Sequence, residues 1–336
     1  MAGQSDYLPP GLPTLWDAAK LLDPDGTSAN VAEVLDQDNE MLWDCPFYEG
    51  NLPTGTRITT RTGLPAVYWR KLNKGIPESK ATTAQVDETT GLLEARSQVD
   101  VRVAALNGNT AGFRFNQSKP FMEAMNQKAQ FQMLNGTLVG QPEAFLGIAP
   151  RFSDLSAPNA DNIIDAGGTG ANLTSIYLIG WAPDKVYGIF PKGSKAGLTH
   201  RDLGEGDAFD DDGNRFRALM DLYTWDLGIA LHDWRYVVRI ANIDVAALRT
   251  NANAGANLIK LMAIAEERIQ SLVGVSPAYY MNRTLRAMLR LQLVDAVKNS
   301  TLTMEMAGGR RVMFFGEVPV RRVDQLKIGE DQVVAS

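Results

Sequence analysis

Residues 313–326 read MFFGEVPVRRVDQL, and this stretch decides the fold. Met313, Phe314 and Phe315 form a short apolar strand, Gly316 permits a tight turn, and Pro319 opens a second run in which Val318, Val320 and Val323 are apolar. The spacing predicts a β-hairpin near the end of the chain. A partner stretch lies in the middle: residues 175–198, SIYLIGWAPDKVYGIFPKGSKAGL, predict strands over 176–181 and 186–190.

Working outward, further strands are predicted over 217–226 and 229–240, then helices over 256–273 and 278–298. In the first helix Leu258, Leu261, Met262, Ala265, Ile269 and Leu272 share a face; in the second Met281, Leu285, Met288, Leu289 and Leu293 do. Residues 117–136 predict another amphipathic helix, with Ser118 as cap, Pro120 in the first turn and Gly136 as stop. Its apolar face is Phe121, Met122, Met125, Ala129 and Met133, and its polar face includes Glu123, Asn126, Gln127 and Gln130.

Residues 54–105 read as extended. Strands are predicted over 56–62, 66–72 and 94–105, the last alternating strictly. Between them residues 71–91 are polar, with few apolar anchors, and predict a long loop whose use is to reach a neighbouring subunit. Residues 1–50 combine five prolines with Tyr7, Leu15, Trp16, Leu35, Leu42 and Trp43: too apolar for a free tail, too broken for a domain. They predict an arm lying on another surface, with short helices near 16–20 and 29–35. Strands, helix, strands, helices, strands: the order predicts an α+β fold.

The chain has 336 residues, 45% of them apolar, enough for a sizeable core. Its 33 Lys and Arg against 39 Asp and Glu leave a net charge of −6, which argues against a protein whose main task is gripping polyphosphate. A single cysteine, Cys45, forms no intramolecular disulfide, and two histidines, His200 and His232, do not make a zinc site with it. No leader and no apolar stretch of membrane-spanning length is present, so a soluble chain that stays where it is made is expected.

The chemical motifs favour no catalysis and no cofactor. Residues 167–170, GGTG, lack the third glycine and the following helix of a dinucleotide fingerprint and read as a surface loop. Residues 207–214, DAFDDDGN, place Ala208 and Leu219 where calcium ligands belong and read as a solvated acidic turn. His200 is expected in a turn and His232 on a sheet face, neither beside a nucleophile elbow. Arg283, Arg286 and Arg290, at i, i+3 and i+7, line one side of the last helix, as a solvated face or as a row of ion pairs with a partner subunit.

The segments VPVRRVD (318–324) and WAPDKVYGIFPKGSKAGL (181–198), with the order of elements, resemble the Hong Kong 97-type major capsid proteins of tailed bacteriophages. The resemblance implies an N-terminal arm over 1–50, an extended loop and flanking strands over 51–105, a peripheral domain with its spine helix over 106–150, an axial domain over 151–300, and strands returning to the peripheral domain over 301–336. It implies hexamers and pentamers of an icosahedral virion shell enclosing double-stranded DNA, built in the host cytoplasm, with diffuse contact to the DNA and none to a membrane. Because the arm is short, a separate scaffolding protein is expected, beside a portal and a possible cement or decoration protein. The assembly residues implied are Trp16 and Trp43 on the arm, Lys71, Lys74 and Lys80 in the extended loop, and the arginine stripe. Some such shells crosslink through a loop lysine, but no local pattern here matches. An encapsulin-like nanocompartment shell and an unrelated α+β enzyme with an unrecognised site stay open as alternatives.

Overall fold

The structure, a computed structural model, describes residues 37, 39–105, 110–210, 213–250, 255–295, 302–307 and 310–335. The helices expected near 16–20 and 29–35, and Trp16, lie outside these residues. Two compact units share the chain: one is formed by Leu92–Ala129 and Gly197–Asp226, the other by Asp38–Gly91, Gln130–Ala196 and the chain from Leu227 onward.

The larger unit is built on a mixed sheet whose centre is β6 (Leu173–Trp181). All nine of its residues are buried, which is why it reads as a continuous apolar run and not as an alternating one. On one side β6 pairs antiparallel with β10 (Val237–Asp244), which carries the three-residue β5 (Ile163–Asp165). On the other it pairs antiparallel with β11 (Ser276–Met281), which pairs parallel with β14 (Val318–Arg322). Beyond β14 come β13 (Arg310–Phe315) and β12 (Leu302–Ala307). The expected C-terminal hairpin is present: Phe315 faces Val318 and Met313 faces Val320 across a turn in which Gly316 adopts φ +58°. At the end of β6, Trp181 pairs with Val186 of β7 (Val186–Phe190), which runs parallel to β1 (Phe47–Glu49) and antiparallel to the end of β9 (Arg215–Leu231). A Cβ on Gly188 would come within 2.5 Å of the Phe47 ring, so β1 can lie against β7 only over a glycine.

Two helices accompany this sheet: the first is shorter than its apolar period predicts, and the second begins later than predicted, its expected last residues 296–298 lying outside the described residues. Leu258–Arg268 buries Leu258, Met262 and Ala265, and Arg283–Asp295 buries Leu285 and Leu289. Residues 278–281, expected as the start of the second helix, belong to β11: Tyr279, Tyr280 and Met281 are fully buried in the sheet, and Asn282 then caps the helix by accepting from the Leu285 N–H at 2.8 Å. The strand expected over 229–240 is two elements. β9 stops at Leu231, His232 and Asp233 turn the chain, and a single 3-10 turn (Trp234–Tyr236) leads into β10, so His232 is not on a sheet face.

The smaller unit pairs β8 (Thr199–Phe209) with β9 as a long antiparallel hairpin, with β4 (Gly91–Asp100) beside β9. β8 was not expected, and it places His200 in a strand. β4 alternates as predicted, with Ser97 and Val99 buried, but the alternation stops at Asp100, whose carboxylate accepts from the Arg102 N–H and starts a short helix, Val101–Ala105. The expected helix over 117–136 begins at Thr110 and ends at Asn135. Pro120 therefore sits inside it, and Ser118 does not cap it but donates to the Phe115 carbonyl at 2.7 Å. Met122 is exposed, and Gln130, expected on the polar face, is fully buried in the larger unit, donating to the Met41 sulfur at 3.4 Å.

Candidate functional site

The chemistry of assembly needs surface that a chain cannot bury by itself, and the larger unit has one such element. β2 (Gly55–Gly63) and β3 (Thr82–Thr89) form an isolated two-stranded sheet in register from Gly55↔Thr89 outward. β3 corrects the expected loop over 71–91: its second half is a strand. The strand expected over 66–72 is absent, and residues 64–81 form the tip, without strand or helix.

The base of the hairpin is fixed. Ile58 packs on Ile189 and Ala230, and the buried Glu88 carboxylate receives two hydrogen bonds from Arg151, at 2.5 and 2.7 Å. Arg57 and Asp87 face each other across the strands at 2.6 and 2.7 Å, exposed to solvent. Beyond them every residue of β3 except Glu88 is exposed. Eight residues at about 3.3 Å each carry the tip roughly 25 Å from this base.

The tip is apolar without a core. Trp69 is fully exposed, Leu72 is 95% and Val67 90% exposed, and Leu64, Tyr68 and Ile76 are exposed as well. Local order comes from hydrogen bonds: Ser79 donates to the Ala66 carbonyl at 2.8 Å, Arg70 to the Lys74 carbonyl at 3.1 Å, and Lys74 N–H to the Lys71 carbonyl at 3.2 Å around Asn73 in the left-handed region. Pro65, Val67, Tyr68, Ile76 and Pro77 line a shallow cleft on this tip. Six large apolar side chains in one projecting loop exceed what an isolated surface normally shows, and each gains about 1.5–3 kcal/mol on full burial.

The other expected residues are dispersed. Lys71, Lys74 and Lys80 are exposed on this tip. Trp43, on the short helix Met41–Asp44, is 64% exposed. Arg283 is exposed and pairs with Asp324 of its own chain at 2.6 Å. Arg286 is half-buried; burial pulls its pKa down, Glu40 opposes this, and Arg290 and Arg321 add to it. The segment around Met41 is held by the sheet: Asp44 accepts from Arg321 at 2.8 and 2.9 Å and from the Tyr280 hydroxyl at 2.9 Å, and Cys45 is buried, which pushes its thiol pKa up.

In the smaller unit the β8–β9 hairpin carries its own polar cluster. Arg114 spans Asp202 and Asp221, His200 Nε2 lies 2.8 Å from Asp221, and the His200, Tyr223 and Phe121 rings stack in series at 4.9 and 5.8 Å. The partners of His200 thus tie β8 to β9, as a structural histidine would. Residues 167–170 are a loop, held against β10 by the Gly168 N–H on the Asn242 carbonyl at 2.9 Å. Asp210 and Asn214 close the acidic turn, with Asp211 and Asp212 outside the described residues. Among the described residues no cluster of three metal-ligating side chains occurs, and no helix is long and apolar enough to cross a membrane.

A sheet of buried strands, a long helix, a long paired hairpin and a projecting loop make up the Hong Kong 97-like fold of phage capsid proteins. The chain belongs to the family of the major capsid protein GP7, which it matches over residues 23–334. A chain of the bacteriophage Epsilon15 structure superposes with a TM-score of 0.78 at 29% identity, covering 100% of both chains. A chain of the bacteriophage JBD30 capsid follows with a TM-score of 0.50 at 12% identity, covering 88% of this chain and 93% of that one, a likeness of fold. No curated protein sequence matches. This chain is therefore a major capsid protein of a tailed phage, a structural component of the virion that assembles with its own copies into a multimeric shell. The nanocompartment alternative is not favoured.

Proposed function

We propose that this chain forms the hexamers and pentamers of an icosahedral shell around double-stranded DNA, assembled in the host cytoplasm with a separate scaffolding protein and a portal, and open to a cement protein outside. The observation that carries the reading is the hairpin tip, whose six large apolar side chains are left exposed by the described residues of their own subunit. In this reading residues 1–50 are the arm, 51–105 the extended loop with its flanking strands, 106–150 the peripheral domain, 151–300 the axial domain and 301–336 its returning strands. Arg283, Arg286 and Arg290 act at a subunit contact over and above their own-chain partners, and a role in shell geometry without catalysis follows. The net charge of −6 supports weak, diffuse contact with DNA. Electron microscopy of the protein expressed alone, and with the genes that neighbour it, tests this: closed shells of capsomers, filled with DNA when the portal is present, are expected. Soluble monomers under every condition would end the reading.

A further inference from the structure

Glu266 lies in the last turn of the helix Leu258–Arg268, where its surroundings oppose a negative charge. Its Oε1 is sealed from solvent and has no hydrogen-bond partner among the described residues. The carbonyl end of a helix disfavours an anion. Both charged groups that face Glu266 among the described residues are carboxylates, Glu267 on the same helix and Glu317 in the β13–β14 turn; burial first, then these two, raise its pKa. The turn lies directly over it, since a Cβ on Gly316 would stand 3.8 Å from either carboxylate oxygen. Arg268, the nearest cation in the sequence, donates instead to the Asp161 carbonyl.

The remaining titratable neighbour is Tyr279 of β11, fully buried, with its hydroxyl within hydrogen-bonding reach of the Glu266 carboxyl. A phenol has one proton, and Tyr279 gives it to the Met262 carbonyl at 2.7 Å. Toward Glu266 its oxygen is therefore an acceptor. An ionised carboxylate meets it lone pair to lone pair, whereas a protonated one donates and completes a chain from Glu266 through Tyr279 to Met262. We propose that Glu266, Tyr279 and Glu317 form a proton-operated latch between this helix and the β13–β14 turn, closed when Glu266 is protonated and loosened when it ionises and repels Glu317. A carboxyl whose folded pKa lies above its unfolded value, about 4.3, costs nothing below that value, and stability is lost as pH rises through the folded pKa. The latch thus tightens in acid. It belongs to the folded subunit and stands whether or not the hairpin tip is an assembly element.

Urea unfolding of the full chain as dissociated subunits, at pH 4 and pH 8, tests it against Glu266→Gln, which keeps the shape, stays neutral and still has a proton to donate to Tyr279. Between the two pH values the unfolding equilibrium constant of the parent should rise several-fold more than that of the variant. Amide hydrogen exchange, corrected for the intrinsic rate at each pH, locates the effect: residues 262–269 and 313–320 should lose protection toward pH 8 in the parent and keep it in Glu266→Gln. Equal pH dependence in the two chains, or a difference confined to other segments, would overturn the latch. Should Glu266→Gln fail to fold, Glu317→Gln decides. With one repelling charge gone, the loss of protection should shrink and move to lower pH, and an exchange profile identical to the parent's would overturn the proposal.

Discussion

The guanidinium of Arg239 donates to the Glu330 carboxylate at 2.9 Å, across 91 residues of sequence and with both side chains nearly buried. The same Glu330 oxygen accepts from Ser175 at 2.5 Å, and Arg239 also reaches the Phe152 carbonyl at 2.8 Å. Around this pair the last residues of the chain are strapped to the sheet: Asn242 exchanges two 2.8 Å hydrogen bonds with the Val333 backbone, and Gly329 N–H donates to the Leu173 carbonyl at 2.8 Å.

Glu330→Ala should destabilise the larger unit by about 3–5 kcal/mol, because it leaves Arg239 as a buried cation without its counter-charge. Replacing both partners by methionine should recover much of this, since the desolvation of both charges disappears with the pair. Urea midpoints of dissociated subunits measure both; equal midpoints for the parent and the single variant would refute the strap.

Tyr280 is a second buried joint. Trp181 Nε1 donates to its hydroxyl at 2.7 Å while the hydroxyl donates to Asp44, and burial raises the phenol pKa far enough to keep it a neutral donor. Tyr280→Phe should cost about 1–3 kcal/mol by orphaning the indole N–H. The emission maximum of Trp181 and the urea midpoint should shift together, and an unchanged midpoint would contradict the joint.

One ion pair of the smaller unit should lose its contribution only in strong acid. Arg114 beside Asp202, with the Gly204 N–H adding to it, holds the Asp202 carboxyl down to about 2. A depressed carboxylate contributes stability above its unfolded value, about 3.9, and loses it as pH falls through the folded value. Little weakening from this pair is expected between pH 7 and 5; it should set in as pH falls below about 4 and be complete near pH 2. Arg114→Leu should bring the Asp202 titration back toward 3.9, which carbon NMR of the carboxyl resolves; a titration left near 2 would remove Arg114 as the cause.

What was legible in the sequence follows from which elements are buried on one pattern. β6, β7 and the β13–β14 hairpin were found because their apolar residues meet the sheet directly. β3 and β8 are not legible because both are solvent-facing: TTAQVDET and THRDLGEGDAF carry no apolar alternation. β11 was merged into a helix because Met281, Leu285 and Leu289 continue a helical period across Asn282, where the backbone changes. Pro120 misplaced the start of the long helix, since a proline read as a first-turn residue is tolerated in its interior with one carbonyl bond given up. The tip is legible in its second half as a polar loop, and in its first half it reads as a strand. Its signal is six large apolar residues with no period to bury them, and the run 66–72, which reads as a strand, has no partner to pair with.

Deleting residues 64–81 and joining β2 to β3 by a two-residue turn should leave a folded subunit, because Ile58 and Glu88 at the base supply the hairpin's contacts to the core. The urea midpoint should match the parent while closed shells fail to form. A large drop in the midpoint would place the tip in the subunit's own stability instead.

The exposure of Trp69 tests the account most directly. Hydroxyl-radical footprinting of dissociated subunits and of intact particles should show Trp69 and Val67 oxidised readily in the first and protected in the second, at least several-fold, since the tip finds cover only in the shell. Equal oxidation in both states would contradict the account, leaving the hairpin a solvent-facing ornament of a shell held together elsewhere.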